Sequence, residues 1–221
     1  FRIVNSLIPV DTCIMAGGLG KRLLPATKNT PKPLLKINNK PIIQYNLERL
    51  RYFGINRINI SVNYLGDKIK NFFGNGSKLD LNINYVNENK PLGTMGSLKN
   101  INKFYNESIL IMNSDILTNI DFEDFYIDFK NHDADMSIVT NTYQVKVPYG
   151  IFEFENNMVK SIKEKPTYNY DSNAGIYLIK KGILNEIEKN KFLNATDLIL
   201  KLIKKGYKVI NYKFPGYWID I

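Results

Sequence analysis

The 221-residue chain sets 30 lysines and arginines against 21 aspartates and glutamates, a formal net charge of +9 at pH 7. With 44 % hydrophobic and 23 % charged residues it has a globular composition, enough for one large domain or two small ones. No apolar run reaches the roughly 18 residues that span a bilayer, no signal peptide is visible, and the single Cys13 excludes an internal disulfide, so a cytoplasmic protein is expected.

The positive charge does not by itself call for a nucleic-acid partner. Many of the lysines are scattered along helix faces, as in "LKLIKKGYK", and no aromatic stacking pattern is interleaved with them. Part of the surplus is expected to serve a small phosphate ligand. No repeat, low-complexity tract or long linker divides the chain. Residues 1–11, "FRIVNSLIPVD", read as the tail of an upstream module, and residues 12–221 as one domain cut at its C-terminal end.

The first informative stretch is "IMAGGLGKRLLPATKNTPKPLLKI", residues 14–37, where an apolar run feeds a glycine-rich loop and then cations. It is not a Walker A loop, because Met15 and Arg22 stand where that motif needs glycine and Ser or Thr. Nor is it the dinucleotide fingerprint, whose third glycine is Leu23 here. The physical logic survives both failures: peptide N–H groups unshielded by side chains make an anion-binding concavity. Next, Ile43, Leu47 and Leu50 recur at helical spacing between Pro41 and Phe53, with Gly54 as the stop. "RINISVN" alternates Ile58, Ile60 and Val62 with polar residues and predicts a half-buried strand; "DLNINYV" repeats the pattern with Leu81, Ile83 and Tyr85. "SILIMNSD" has four consecutive apolar residues, as a central strand covered on both faces should. His132, in "KNHDAD", is expected at an exposed helix end. After about residue 140 the chain becomes strand-rich ("YGIFEF", "MVKSIKEK", "NAGIYLI", "YKVINYK"), interrupted by a helix over Ala195–Lys205 that Asn194 opens and Gly206 ends. The alternation predicts an α/β fold, with the strand-rich half extending the sheet and walling the site.

The run G-G-x-G-x-R-L-x-P-x-T followed by P-K-P-L resembles the signature of the sugar-1-phosphate nucleotidyltransferases. The likeness continues in order through "PLGTMGSL", "NSDIL", "YGIFEF", "EKP", "NAGIY" and "YWIDI", across nearly the whole chain. Resemblance implies a Rossmann-like, mixed but mostly parallel sheet flanked by helices, with a strand-rich sugar-binding half. It also implies an enzyme that condenses a nucleoside triphosphate with a sugar 1-phosphate and releases pyrophosphate. By the same resemblance Ala16, Gly17, Gly18, Gly20, Gly93 and Thr94 approach the nucleotide, Arg22 binds triphosphate oxygens, and Lys32, held between Pro31 and Pro33, stabilises charge at the α-phosphoryl group. Asp115 and Asp220 are implied ligands of Mg²⁺. On the sugar side stand Gly150, Glu164, Lys165 and Asn173, with Trp218 as a wall. Lys21 replaces the family's usual threonine, and Ser114 its common glycine.

Glu88, five residues before Gly93, occupies the position from which relatives read the base. A carboxylate can accept from N1–H and N2–H₂ of guanine together, whereas uracil or thymine suits an amide. This favours GTP, with mannose 1-phosphate, glucosamine 1-phosphate or a related sugar as second substrate. A thymidylyl- or uridylyltransferase acting on glucose 1-phosphate, or a catalytically silent regulatory module, is the alternative. An upstream regulatory domain and a homo-oligomer both stay open.

Overall fold

The computed structural model describes residues 8–221; most of the expected upstream tail, residues 1–7, lies outside the described residues. A seven-stranded sheet forms the centre, in the spatial order β12-β8-β11-β6-β1-β4-β5. In chain order these are β1 (Val10–Met15), β4 (Arg57–Val62), β5 (Asn82–Asn87), β6 (Ser108–Asn113), β8 (Met136–Lys146), β11 (Thr167–Lys180) and β12 (Val209–Lys213). β1 pairs in parallel with β4 and β6, and β4 with β5, while β11 runs antiparallel to both β6 and β8. β12 then adds in parallel to β8, leaving β11 the one reversed strand of a mixed, mostly parallel sheet. Small two-stranded sheets join β2 (Lys36–Ile37) to β3 (Lys40–Pro41), β7 (Ile116–Thr118) to β13 (Trp218–Asp220), and β9 (Ile151–Glu155) to β10 (Met158–Lys163).

Strand alternation builds two cores. On one face Ile14, Ile60, Leu110 and Met112 pack with Ile43, Leu47 and Leu50 of α1 (Ile42–Tyr52), Ile69 of α2 (Gly66–Phe73), and Phe125 and Phe129 of α3 (Phe122–Asn131). On the other, Cys13, Ile109, Ile111, Tyr177 and Ile179 pack with Leu198 and Leu202 of α4 (Ala195–Lys204). The helix ends follow from local chemistry. Pro41, with φ −55° and ψ 141°, stands immediately before α1. Asn194 and Asp197 form a capping box on α4, and Gly206 adopts φ +79° beyond it. His132 is the exposed C-cap of α3.

Two expectations need correction. Val10 and Asp11, assigned to the upstream tail, are buried members of β1; Asp11 accepts hydrogen bonds from the Tyr105 and Asn106 N–H groups at 2.6 and 2.7 Å. β4 is not half-buried: both faces are covered, Ser61 is as enclosed as Ile60 before it, and Asn59 is withdrawn from water nearly as far. Asn59 is tolerated there because its amide donates to the Thr12 carbonyl at 3.2 Å. None of the described helices is long and apolar enough to cross a membrane.

Candidate active site

The sheet changes direction of growth between β1 and β6, since β4 and β5 add on one side of β1 and β6 on the other. Open α/β sheets bind ligands beyond the carboxyl ends of their strands at such a point. A cleft of about 680 Å³ lies there. Its walls include Gly17, Gly18, Gly20, Arg22, Lys32, Glu88, Gly93, Thr94, Asp115 and Asp220, so ten of the residues singled out from sequence converge on one cavity.

The loop after β1 is shaped by contacts below it. Gly20 has φ +60°, and a Cβ there would sit 2.9 Å from Thr27 Cγ2, while the buried Thr27 hydroxyl donates to the Gly20 carbonyl at 2.8 Å. Ala16 does not line the cleft. It is buried, and its N–H is already donated to the Ser61 carbonyl at 2.9 Å. Gly93 (φ +73°) lets its loop lie against the segment before α4: a Cβ would stand 2.6 Å from the Leu193 carbonyl oxygen. Leu193 N–H donates to the Leu92 carbonyl and Met95 N–H to the Leu193 carbonyl, both at 2.9 Å. That pairing brings Phe192, 54 % exposed, and Asn194 to the cleft wall.

Charge is concentrated opposite the loop. Lys32 Nζ lies 2.5 Å from Asp115 Oδ2, with both side chains about four-fifths buried. Asp220 is carried alongside by the β13–β7 pairing, in which it faces Ile116, and the Ile221 N–H donates to the Asp115 carbonyl at 3.2 Å. Burial pushes the Asp220 carboxyl above its usual range, and the charge of Asp115 adds to this, with Lys32 and Arg22 pulling it back. Two hard carboxylates beside the glycine-rich loop fit a divalent cation completed by ligand oxygens and water, and a cation would relieve their mutual repulsion. Among the described residues there is no group of three or more potential protein ligands that could hold a metal alone.

Glu88 is only 8 % exposed. One carboxylate oxygen, Oε1, accepts from the Ser61 hydroxyl, and the other, Oε2, accepts from the Leu92 N–H at 2.9 Å. Its own carbonyl accepts from Asn63 Nδ2 at 2.5 Å.

The residues expected on the sugar side separate into two groups. Asn173 lines a side pocket of about 140 Å³ with Gly175 and Trp218, and this pocket shares Asn113 and Asp220 with the main cleft. Trp218 is a wall there, its indole N–H donated to the Ala174 carbonyl at 2.8 Å. Gly150, Glu164 and Lys165 line neither cavity. Glu164 and Lys165 are exposed near the base of the β9–β10 hairpin, and a Cβ on Gly150 would meet Glu164 Oε2 at 3.0 Å. Sequence reasoning missed Ser61, Asn113, Thr27 and Phe192 as parts of the site. Thr27 and Asn113 carried a signal, as the last residue of the glycine-rich motif and the first of "NSDIL".

The model of the nucleotidyl transferase family matches residues 11–221. The chain belongs to this family. Among curated nucleotidyl transferases, mannose-1-phosphate guanylyltransferase 1 of Arabidopsis thaliana is 30 % identical over 217 residues, and the catalytic subunit beta of Xenopus tropicalis mannose-1-phosphate guanylyltransferase is 28 % identical over 216. Each alignment takes in 94 % of this chain but 60 % of the relative, so the chain spans about three-fifths of their length. The crystal structure of HddC from Yersinia pseudotuberculosis superposes with a TM-score of 0.74 at 29 % identity, covering 96 % of this chain and 93 % of that one. The same protein, solved in complex with GMP-PN, gives 0.71 at 28 %.

Proposed function

We propose that the chain is the catalytic domain of a sugar-1-phosphate guanylyltransferase, working in the cytoplasm on GTP and mannose 1-phosphate, glucosamine 1-phosphate or a related sugar phosphate. The observation that carries this reading is the convergence of the glycine loop, Arg22, Lys32 and the Asp115–Asp220 pair on one cleft at the switch point of the sheet. The reaction is one displacement: an oxygen of the sugar phosphate bonds to the α-phosphorus, and the bond from that phosphorus to the bridging oxygen breaks. Pyrophosphate leaves with the electron pair. The attacking group is already an anion, so no general base is required, and catalysis consists of alignment and charge neutralisation.

In this reading the loop N–H groups around Gly17, Gly18 and Gly20 cradle the triphosphate and Arg22 clamps its oxygens with a planar fork. Lys32 presents its ammonium to the reacting phosphoryl group, with Asp115 fixing its position. Gly93 and Thr94 border the ribose and Glu88 faces the base. Asp115 and Asp220 would hold Mg²⁺, which supplies Lewis-acid charge neutralisation at phosphate oxygens when bound. Asn173 takes the sugar side, and Glu164 and Lys165 would reach the sugar phosphate only if their hairpin closes over the cleft. The guanylyl choice rests on the acceptor pair of Glu88 and on the names of the curated relatives. A pyrophosphate-release screen of four nucleoside triphosphates against a panel of sugar 1-phosphates tests it. Release with GTP and one of the named sugars supports the reading, and release only with UTP or dTTP removes the guanylyl assignment.

A further inference from the structure

The geometry points to Ser61 as a positioning residue for base choice: its hydroxyl orients the Glu88 carboxylate so that two acceptor positions face the cleft. This rests on the guanylyl reading above and deepens it. Ser61 lies in β4 with no exposed surface, and its hydroxyl donates to Glu88 Oε1. Oε2 takes the Leu92 N–H at 2.9 Å. Each carboxylate oxygen therefore spends one acceptor position on the protein and keeps another for a ligand. Gly17 closes the arrangement from the loop side, since a Cβ there would lie 3.1 Å from Oε1. The Glu88 backbone is pinned as well, its N–H on the Val62 carbonyl and its carbonyl on Asn63.

A buried hydroxyl in this sheet need not find a partner. The side-chain oxygens of Thr12 in β1 and Ser137 in β8 are buried without one among the described residues. Ser61, by contrast, spends its proton on the one carboxylate that lines the base end of the cleft. The consequence is directional. With Ser61 and Leu92 both donating, neither oxygen can be exchanged for a donor without opposing an N–H or turning the hydroxyl. The face left for a ligand is acceptor–acceptor, which fits the adjacent N1–H and N2–H₂ of guanine and opposes O4 of a pyrimidine.

The test compares kcat/KM for GTP and for inosine triphosphate, which lacks only the 2-amino group, in wild type, Ser61→Ala and Glu88→Gln. Losing a bond to a charged group should lower the GTP/ITP ratio about tenfold in Ser61→Ala. A hydroxyl that merely stabilised the strand would lower both rates together and leave the ratio alone. Ser61→Cys, nearly isosteric and a weak donor, should show an intermediate fall and serves if the alanine variant does not fold. If Glu88→Gln lowers the ratio while the Ser61 variants keep it, the role given to Ser61 is overturned and the guanylyl reading stands. If Glu88→Gln also keeps the ratio, base reading by Glu88 is overturned and the inference goes with it.

Discussion

Replacing Lys32 with methionine keeps the aliphatic stem and removes the charge. The ammonium lies 2.5 Å from Asp115 in a setting about four-fifths withdrawn from water, so an effective dielectric of about 20 is appropriate. A unit charge about 4 Å from a phosphoryl oxygen is then worth about 4 kcal/mol, or about a thousandfold in rate. Sharing the ammonium with Asp115 reduces this, so a fall in kcat of about 10² to 10³ is expected. On the proposed reading the glycine loop and Arg22 still grip the triphosphate, so KM should change by no more than a few fold. Steady-state pyrophosphate release at varied GTP separates the two parameters. A variant with near wild-type kcat and a strongly raised KM would refute the placement of Lys32 at the reacting phosphorus and make it a binding group.

Activity is expected to vanish with EDTA and return with Mg²⁺, and Asp115→Asn should raise the Mg²⁺ concentration for half-activity, because one anionic ligand becomes neutral; an unchanged metal titration would remove Asp115 from the ligand set. Gly96→Ala would drive a methyl into the Lys191 carbonyl oxygen, a main-chain atom that no rotamer change can move, and should cost about 2 kcal/mol. In a chain of this size that is about 4–8 °C of Tm by calorimetry, and an unshifted melt would mean that the 92–96 and 191–194 segments part easily. Glu186 is held down to about 2 by Lys205, Tyr207 and Lys201. Its folded pKa lies below the unfolded one, so its contribution is present above the ordinary carboxyl range and lost as pH falls through about 2. The Tm gap between wild type and Glu186→Gln should therefore be open at pH 7 and close between about pH 4.5 and 2, and a gap constant with pH would contradict the linkage.

What could be read from sequence was local. The helix expected between Pro41 and Phe53 is Ile42–Tyr52, and the one expected over Ala195–Lys205 ends one residue earlier, because proline, capping side chains and glycine act on their nearest neighbours. The four apolar residues of β6 marked a strand covered on both sides, and it is one. β4 misled because Asn59 and Ser61 look like solvent-facing residues; their partners, the Thr12 carbonyl and Glu88, are 47 and 27 residues away. Asp11 resembled a linker charge for the same reason, since the two N–H groups it satisfies lie 94 and 95 residues on. Phe192 carried no motif, and only the pairing of Leu193 with Leu92 and Met95 brings it to the cleft. Motif order placed Glu164 and Lys165 beside the sugar, but among the described residues β9 and β10 pair only with each other, and no ladder ties their hairpin to the main sheet.

The most direct measurement is the fate of the α-phosphate. GTP labelled at that position, incubated with Mg²⁺, sugar 1-phosphate and a protein containing this chain, should place its label in a GDP-sugar, with one equivalent of pyrophosphate formed per product. Neither should form when the sugar phosphate is left out. Label appearing in GMP or in the protein itself, or unlabelled product made faster from dTTP or UTP, would contradict the account.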